Sequence, residues 1–213
     1  ASTLRVVGGG QTITLGGPLT LTNTSATAMG GLLFDNSAGA ATITGSNIAG
    51  SAANELIFIA GGSTPANALT ITSTIGAGTA SPFTKAGTGA VVLGGANTFT
   101  GNVFINEGTV RMASGSTTAT IGSPGAATTF NLMQGATFDL NGAGGSAAPY
   151  TGATNLNIMN IGALSGSGTI TSGNAAASAL QIGVAATTAS GAFSGVIQNG
   201  SSSGLTVIRA GTS

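Results

Sequence analysis

The sequence predicts an all-β fold, a parallel β-solenoid running through residues 1–213 as a single domain. Three observations predict it. Short runs in which an apolar residue alternates with Thr, Asn or Gln recur along the whole chain, the period-two signature of a half-buried strand. Clusters of Gly, Ser, Asn and Ala end these runs, so that strand starts recur about every 8–14 residues, as in all-β architectures. The chain also carries 38 glycines and only 4% charged residues, and small side chains let successive coils approach closely while the backbone pairs from coil to coil. A sandwich or a barrel would give the same alternation; the glycine content and the loose recurrence favour the solenoid. At roughly 20–25 residues per coil the chain makes about nine coils, a rod of about 40 Å at ~4.8 Å per coil.

The elements follow in order. Gln11–Leu15, Leu19–Thr22 and Ala41–Thr44 alternate aliphatic residues with Thr. Leu56–Ile59 is a continuous apolar run, and Leu69–Thr72 returns to alternation. Val91–Leu93, Asn102–Ile105 and Thr109–Met112 form the centre of the pattern, with Thr137–Leu140, Leu180–Val184 and Leu205–Ile208 beyond it. Gly8–Gly10, Gly61–Ser63 and Gly200–Ser203 supply the bends, because glycine reaches positive φ without a steric penalty. No window reads as a helix: the strong helix formers Glu, Lys and Arg are nearly absent.

Composition bounds the partners. Arg5, Lys85, Arg111 and Arg209 balance Asp35, Glu55, Glu107 and Asp139. Nucleic-acid binding needs clustered cations that displace counterions from phosphates, and no such cluster exists here. The same scarcity argues against acidic membranes, and no apolar run approaches the ~20 residues of a membrane helix. Zero net charge favours self-association. With few aromatics and no Trp, the expected core is thin and filled by Ile, Leu, Val and Ala. There is no Cys, so stacking rather than cross-linking must hold the chain. Ala1-Ser2-Thr3-Leu4 carries no signal peptide, and fits a processed mature end or a cut within a longer chain.

The most specific stretch runs Lys85-Ala-Gly-Thr-Gly89-Ala-Val-Val-Leu93-Gly-Gly-Ala-Asn97-Thr-Phe99-Thr-Gly101-Asn-Val-Phe-Ile105-Asn-Glu107-Gly-Thr-Val-Arg111-Met. Here Leu93, Phe99, Val103, Ile105 and Val110 are expected to face the core. Asn97 is expected to cap a turn through backbone groups, and Gly94, Gly95 and Gly101 to form corners. The stretch resembles the passenger-associated transport repeat of autotransporter passengers and related bacterial surface proteins. Ile161–Ile170 resembles the segments between such repeats, Phe193–Gly200 followed by Gly204–Ser213 resembles the run leading into another repeat, and Arg209-Ala210-Gly211-Thr212 mirrors Lys85-Ala86-Gly87-Thr88. The resemblance implies a single-stranded right-handed parallel β-helix, extracellular or on a bacterial cell surface. It supplies no catalytic residues.

The first residues, Leu4-Arg5-Val6-Val7-Gly8-Gly9-Gly10-Gln11-Thr12, loosely resemble Val91–Thr98, so joining Ser213 to Ala1 would complete an approximate repeat. That continuity fits either head-to-tail stacking of subunits or one period of a longer chain. Leu4, Val6, Val7, Leu205, Val207 and Ile208 are the expected self-assembly ends, and the chain itself the expected partner, with cell-surface or matrix contacts beyond it.

Chemistry-bearing groups are few. Without His or Cys, a Ser-His-Asp or Cys-His arrangement is impossible. Coils could bring Glu55, Glu107 and Asp139 onto one face, yet solvated turn charges are the plainer reading of the eight charges. Asp139-Leu140-Asn141-Gly142 resembles the start of a calcium loop but lacks the later carboxylates, so it reads as a turn, as does Asp35-Asn36. Lys85 precedes its glycines and is no phosphate loop. The Thr-x-Thr triplets at Thr12/Thr14, Thr20/Thr22, Thr42/Thr44, Thr70/Thr72, Thr118/Thr120 and Thr169/Thr171 could form an ice-binding ladder. Their spacing is irregular, however, and Thr is a favoured strand residue in any case. Asn23-Thr24-Ser25 and Asn199-Gly200-Ser201 match the glycosylation pattern at a rate chance explains. The expectation is therefore a non-enzymatic protein with no catalytic, cofactor-binding or metal residues. It is either a structural solenoid stacking head to tail into a fibre or surface layer, or a passenger segment of an autotransporter-like adhesin.

Overall fold

The computed structural model describes residues 3–21, 30–50, 55–62, 65–76, 82–116, 118–122, 129–143, 157–183, 191–202 and 204–210. Ala1, Ser2, Thr22, Asn23–Ser25, Ser63, Val184, Ser203 and Gly211–Ser213, all singled out above, lie outside them. Among the described residues are twenty strands, numbered β1–β20 along the chain, and one short 3-10 helix at Pro65–Asn67.

The strands sort onto three faces of a coil. The first face holds β1 (Thr3–Val7), β4 (Gly30–Asp35), β7 (Leu56–Ala60), β9 (Phe83–Ala86), β11 (Val103–Ile105), β13 (Thr129–Leu132) and β16 (Ala163–Gly166), hydrogen-bonded in that order. The second holds β2 (Gln11–Leu15), β5 (Ala41–Gly45), β8 (Leu69–Ile71), β10 (Ala90–Leu93), β12 (Thr109–Met112), β14 (Thr137–Asp139), β17 (Thr169–Thr171) and β19 (Val196–Ile197). On the third face β3 (Leu19–Leu21) pairs with β6 (Ile48–Gly50), and β15 (Asn157–Ile161), β18 (Ser178–Ile182) and β20 (Leu205–Arg209) form a separate sheet. Bridges Ile48–Ile75 and Ala96–Thr120 carry the third face between them. Every ladder is parallel, and neither large sheet closes on itself. This is the parallel β-solenoid read from the sequence.

The second face counts eight rungs, close to the nine expected. The rungs are longer than assumed: Phe83 pairs with Val103, twenty positions on, but Thr129 pairs with Ala163, thirty-four on. The strands stay in register and the corners absorb the difference, since extra loop length on a surface costs little.

Alternation decides which side chains face inward. On the second face Ile13, Ile43, Ile71, Leu93 and Met112 stack one above another inside the coil, and the last four are fully buried. Each such aliphatic side chain contributes roughly 1.5–3 kcal/mol by leaving water. The core is not purely aliphatic. Six of the eight phenylalanines (Phe34, Phe58, Phe83, Phe99, Phe130 and Phe138) are buried in it, so the few aromatics are concentrated where burial returns most.

Candidate functional site

Two buried polar side chains, Lys85 and Asn97, lie on rung 4 within the stretch singled out above. The inward column of the first face reads Phe58, Lys85, Ile105. Lys85 is therefore a core residue with 0% of its surface exposed, and the reading of it as a solvated turn charge is overturned. Its Nζ reaches the corner between the first two faces. There it donates to the carbonyl oxygens of Ala86 (2.9 Å), Gly87 (2.6 Å) and Glu107 (3.2 Å). Burial pushes the Lys85 ammonium down to about 8, against the opposing pull of the Glu107 charge.

At the next corner Asn97, 1% exposed, joins three rungs with one side chain. Its Oδ1 accepts from Ile75 N–H at 2.8 Å, and its Nδ2 donates to the Thr120 carbonyl at 2.6 Å. Thr120 returns a bond from its hydroxyl to the Asn97 carbonyl (2.6 Å), and Thr98 Oγ1 donates to the Gly76 carbonyl. Asn97→Ala would strand a buried donor on rung 3, at about 1–3 kcal/mol, and remove the partner of a half-buried acceptor on rung 5. The expected result is faster amide exchange at Ile75, with far-UV ellipticity unchanged.

Phe99 completes the corner. Its ring stacks on Phe83 at 5.4 Å between centroids and 14° between planes, and Phe83 meets Phe58 edge-on at 5.3 Å. Room for it comes from glycine on either side. A Cβ at Gly76 would lie 2.6 Å from Phe99 N, and one at Gly122 would lie 2.9 Å from Phe99 O. Leu93, Val103, Ile105 and Val110 are buried as expected.

A second polar corner surrounds Asp139, 2% exposed. Its Oδ2 pairs with Arg111 Nε at 2.8 Å, and its Oδ1 accepts from Asn141 N (2.9 Å) and Gly173 N (2.7 Å). Asn141, at φ 50°, donates Nδ2 to the Met112 carbonyl at 3.0 Å. These bonds give the Asp139–Gly142 segment the geometry of the turn read from its sequence, although Asp139 is not solvated. Glu55, Glu107 and Asp139 do not share a face. Glu55 precedes β7 on the first face and is hydrogen-bonded by Thr84, Glu107 sits at the first corner, and Asp139 ends β14 on the second. Asp35, held below the usual carboxylate range by hydrogen bonds from Ser37 and then Arg5, forms an exposed ion pair with Arg5 at 3.0 Å.

The six residues expected at self-assembly ends lie on two different faces. Leu4, Val6 and Val7 belong to β1, the edge of the first face; Leu205, Val207 and Ile208 belong to β20, the edge of the third. An in-register continuation of the third face would set β20 against a β3-like strand. Val6 is buried, whereas Val7 and Val207 are 46% and 48% exposed. Both mirrored termini lie one face earlier in the coil than the segments they resemble, so the step from one to the next is the same. Arg209 is on the third face where Lys85 is on the first, and Leu4–Val7 are on the first where Val91–Leu93 are on the second.

Residues 83–112 match the family described as the passenger-associated-transport-repeat. The matched segment begins with the first residue of β9 and ends with the last of β12, so it contains Lys85, Asn97 and Phe99 and all of rung 4. No curated protein and no solved structure matches the chain.

Proposed function

We propose that this chain is a section of the β-solenoid stalk of a secreted, autotransporter-type passenger displayed on a bacterial surface, and that its work is structural rather than catalytic. The single observation that carries the reading is the repeat at residues 83–112. Its most distinctive side chains act on the stack itself: Lys85 on backbone carbonyls, Asn97 across three rungs, Phe99 between two glycines. Groups committed in this way to neighbouring rungs serve an elongated scaffold, whose stability is a sum of nearest-neighbour contacts. A second reading, a fibre of chains stacked head to tail, is favoured by a formal net charge of zero on a chain with only 4% charged residues, which favours association.

Antibodies raised against the solenoid test the display reading on the source cells. Labelling of intact, unpermeabilised cells is expected; labelling only after lysis would sink it. Electron microscopy of the untagged chain then separates stalk from fibre. Isolated rods about 40 Å long, eight rungs at ~4.8 Å, are expected for the stalk, and long uniform filaments for the fibre.

A further inference from the structure

Three of the six Thr-x-Thr triplets are irregular in sequence but not in space. Thr12, Thr42 and Thr70 occupy one register position on β2, β5 and β8. Thr14 and Thr44 share the next outward position, and Thr72 Oγ1 donates to Thr44 Oγ1 at 2.8 Å. Two outward columns of three threonines thus stand side by side on rungs 1 to 3. Rungs in a parallel sheet are ~4.8 Å apart and alternate residues along a strand about 6.6 Å apart. The six hydroxyls and six methyls therefore form a two-dimensional array on the scale of the oxygen repeats of an ice surface. The flanking positions on one side carry only small side chains, Gly10, Ala40 and the buried Ala68. The stacked Ile13, Ile43 and Ile71 beneath hold it rigid, and no charged residue stands on β2, β5 or β8. The lattice stops at rung 4, where β10 presents Val92, and the Arg111–Asp139 pair occupies the same column on rungs 5 and 6.

We infer that the outward face of β2, β5 and β8 binds ice, its threonine methyls and hydroxyls ordering a layer of water that matches the crystal. An uncharged face suits this occupant, because a charged group would hold its own hydration shell against the lattice. Preordered threonine rotamers also reduce the ordering cost at contact, and the stiff β-branched side chain supplies them. The inference is independent of how the chain is anchored or whether it stacks.

The test is ice recrystallisation inhibition by the purified chain, with Thr42→Tyr at the centre of the lattice and Thr137→Tyr on the same face outside it. The wild-type chain and Thr137→Tyr are expected to keep ice grains small, and Thr42→Tyr to lose the effect while its circular dichroism stays that of the wild type. Inactive wild-type chain overturns the inference, as does full activity in Thr42→Tyr. Retention on microcrystalline cellulose without ice activity overturns it in favour of a crystalline polysaccharide. If Thr42→Tyr fails to fold, Thr42→Val, which keeps a branched side chain and removes the hydroxyl, is read in the same assay: weakened inhibition supports the lattice and unchanged inhibition overturns it.

Discussion

Phe99→Ala is expected to cost about 3–5 kcal/mol, the range for emptying a buried phenylalanine site, and to divide one unfolding transition into two. The ring is fully enclosed, it stacks on Phe83, and through Phe83 it touches Phe58 on rung 3. Aromatic pairs add about 0.5–1.5 kcal/mol beyond their buried area, so two contacts are weakened by one substitution. The cavity cannot collapse readily. Its walls above and below are Gly76 and Gly122, at φ 89° and 97°, which have no side chains to move inward. In a stack where each rung contacts only its neighbours, weakening rung 4 uncouples rungs 1–3 from rungs 5–8, and long repeat arrays are where all-or-none unfolding breaks down. Denaturant unfolding followed by circular dichroism should show a biphasic curve for the variant and a single sigmoid for the parent. A single, barely shifted sigmoid would mean that rung 4 is not the link. Gly76→Ala offers the same test from the other side, since its Cβ would press into the Phe99 backbone.

How much of this was legible beforehand depends on whether a residue's role is local. The β2, β5, β8 and β12 strands were readable because alternation and turn glycines act within a few residues. Asn97 as a backbone cap and the inward set from Leu93 to Val110 were readable for the same reason. Lys85 was misread because its burial is set by register: only the pairing with Phe58 and Ile105 turns it inward, and in sequence it stands before a glycine-rich bend like any solvated lysine. The threonine lattice was hidden for a related reason. Gln11 pairs with Ala41 and Ala41 with Leu69, thirty and twenty-eight positions on, so unequal corner lengths disguise equal rungs.

Stability is expected to rise with pH between about 8 and 10.5, and Lys85 is the reason. Its ammonium titrates near 8 in the folded chain, because burial disfavours the charge more than Glu107 supports it, whereas in the unfolded chain it keeps its ordinary value of 10.5. Between these values the unfolded chain holds a proton that the folded chain has released, and stability increases with pH wherever the unfolded state binds more protons. The gain is complete above 10.5, it falls away as pH drops through the window, and nothing further is lost to this group below 8. The span corresponds to about 3 kcal/mol at most, at 1.36 kcal/mol for each pH unit. The neutral amine still offers two donors to the carbonyls of Ala86, Gly87 and Glu107, so deprotonation removes one of the three bonds. Lys85→Met separates the charge from the packing. Methionine fills the column between Phe58 and Ile105 without a buried ammonium, but it removes the lysine's bonds to all three carbonyls at every pH. Its stability should therefore be flat from pH 8 to 10.5 where that of the parent climbs. Denaturant midpoints across that range decide it: parallel slopes in parent and variant would place the titration on another group, and a parent slope of opposite sign would mean that the three carbonyls outweigh burial and hold the ammonium charged.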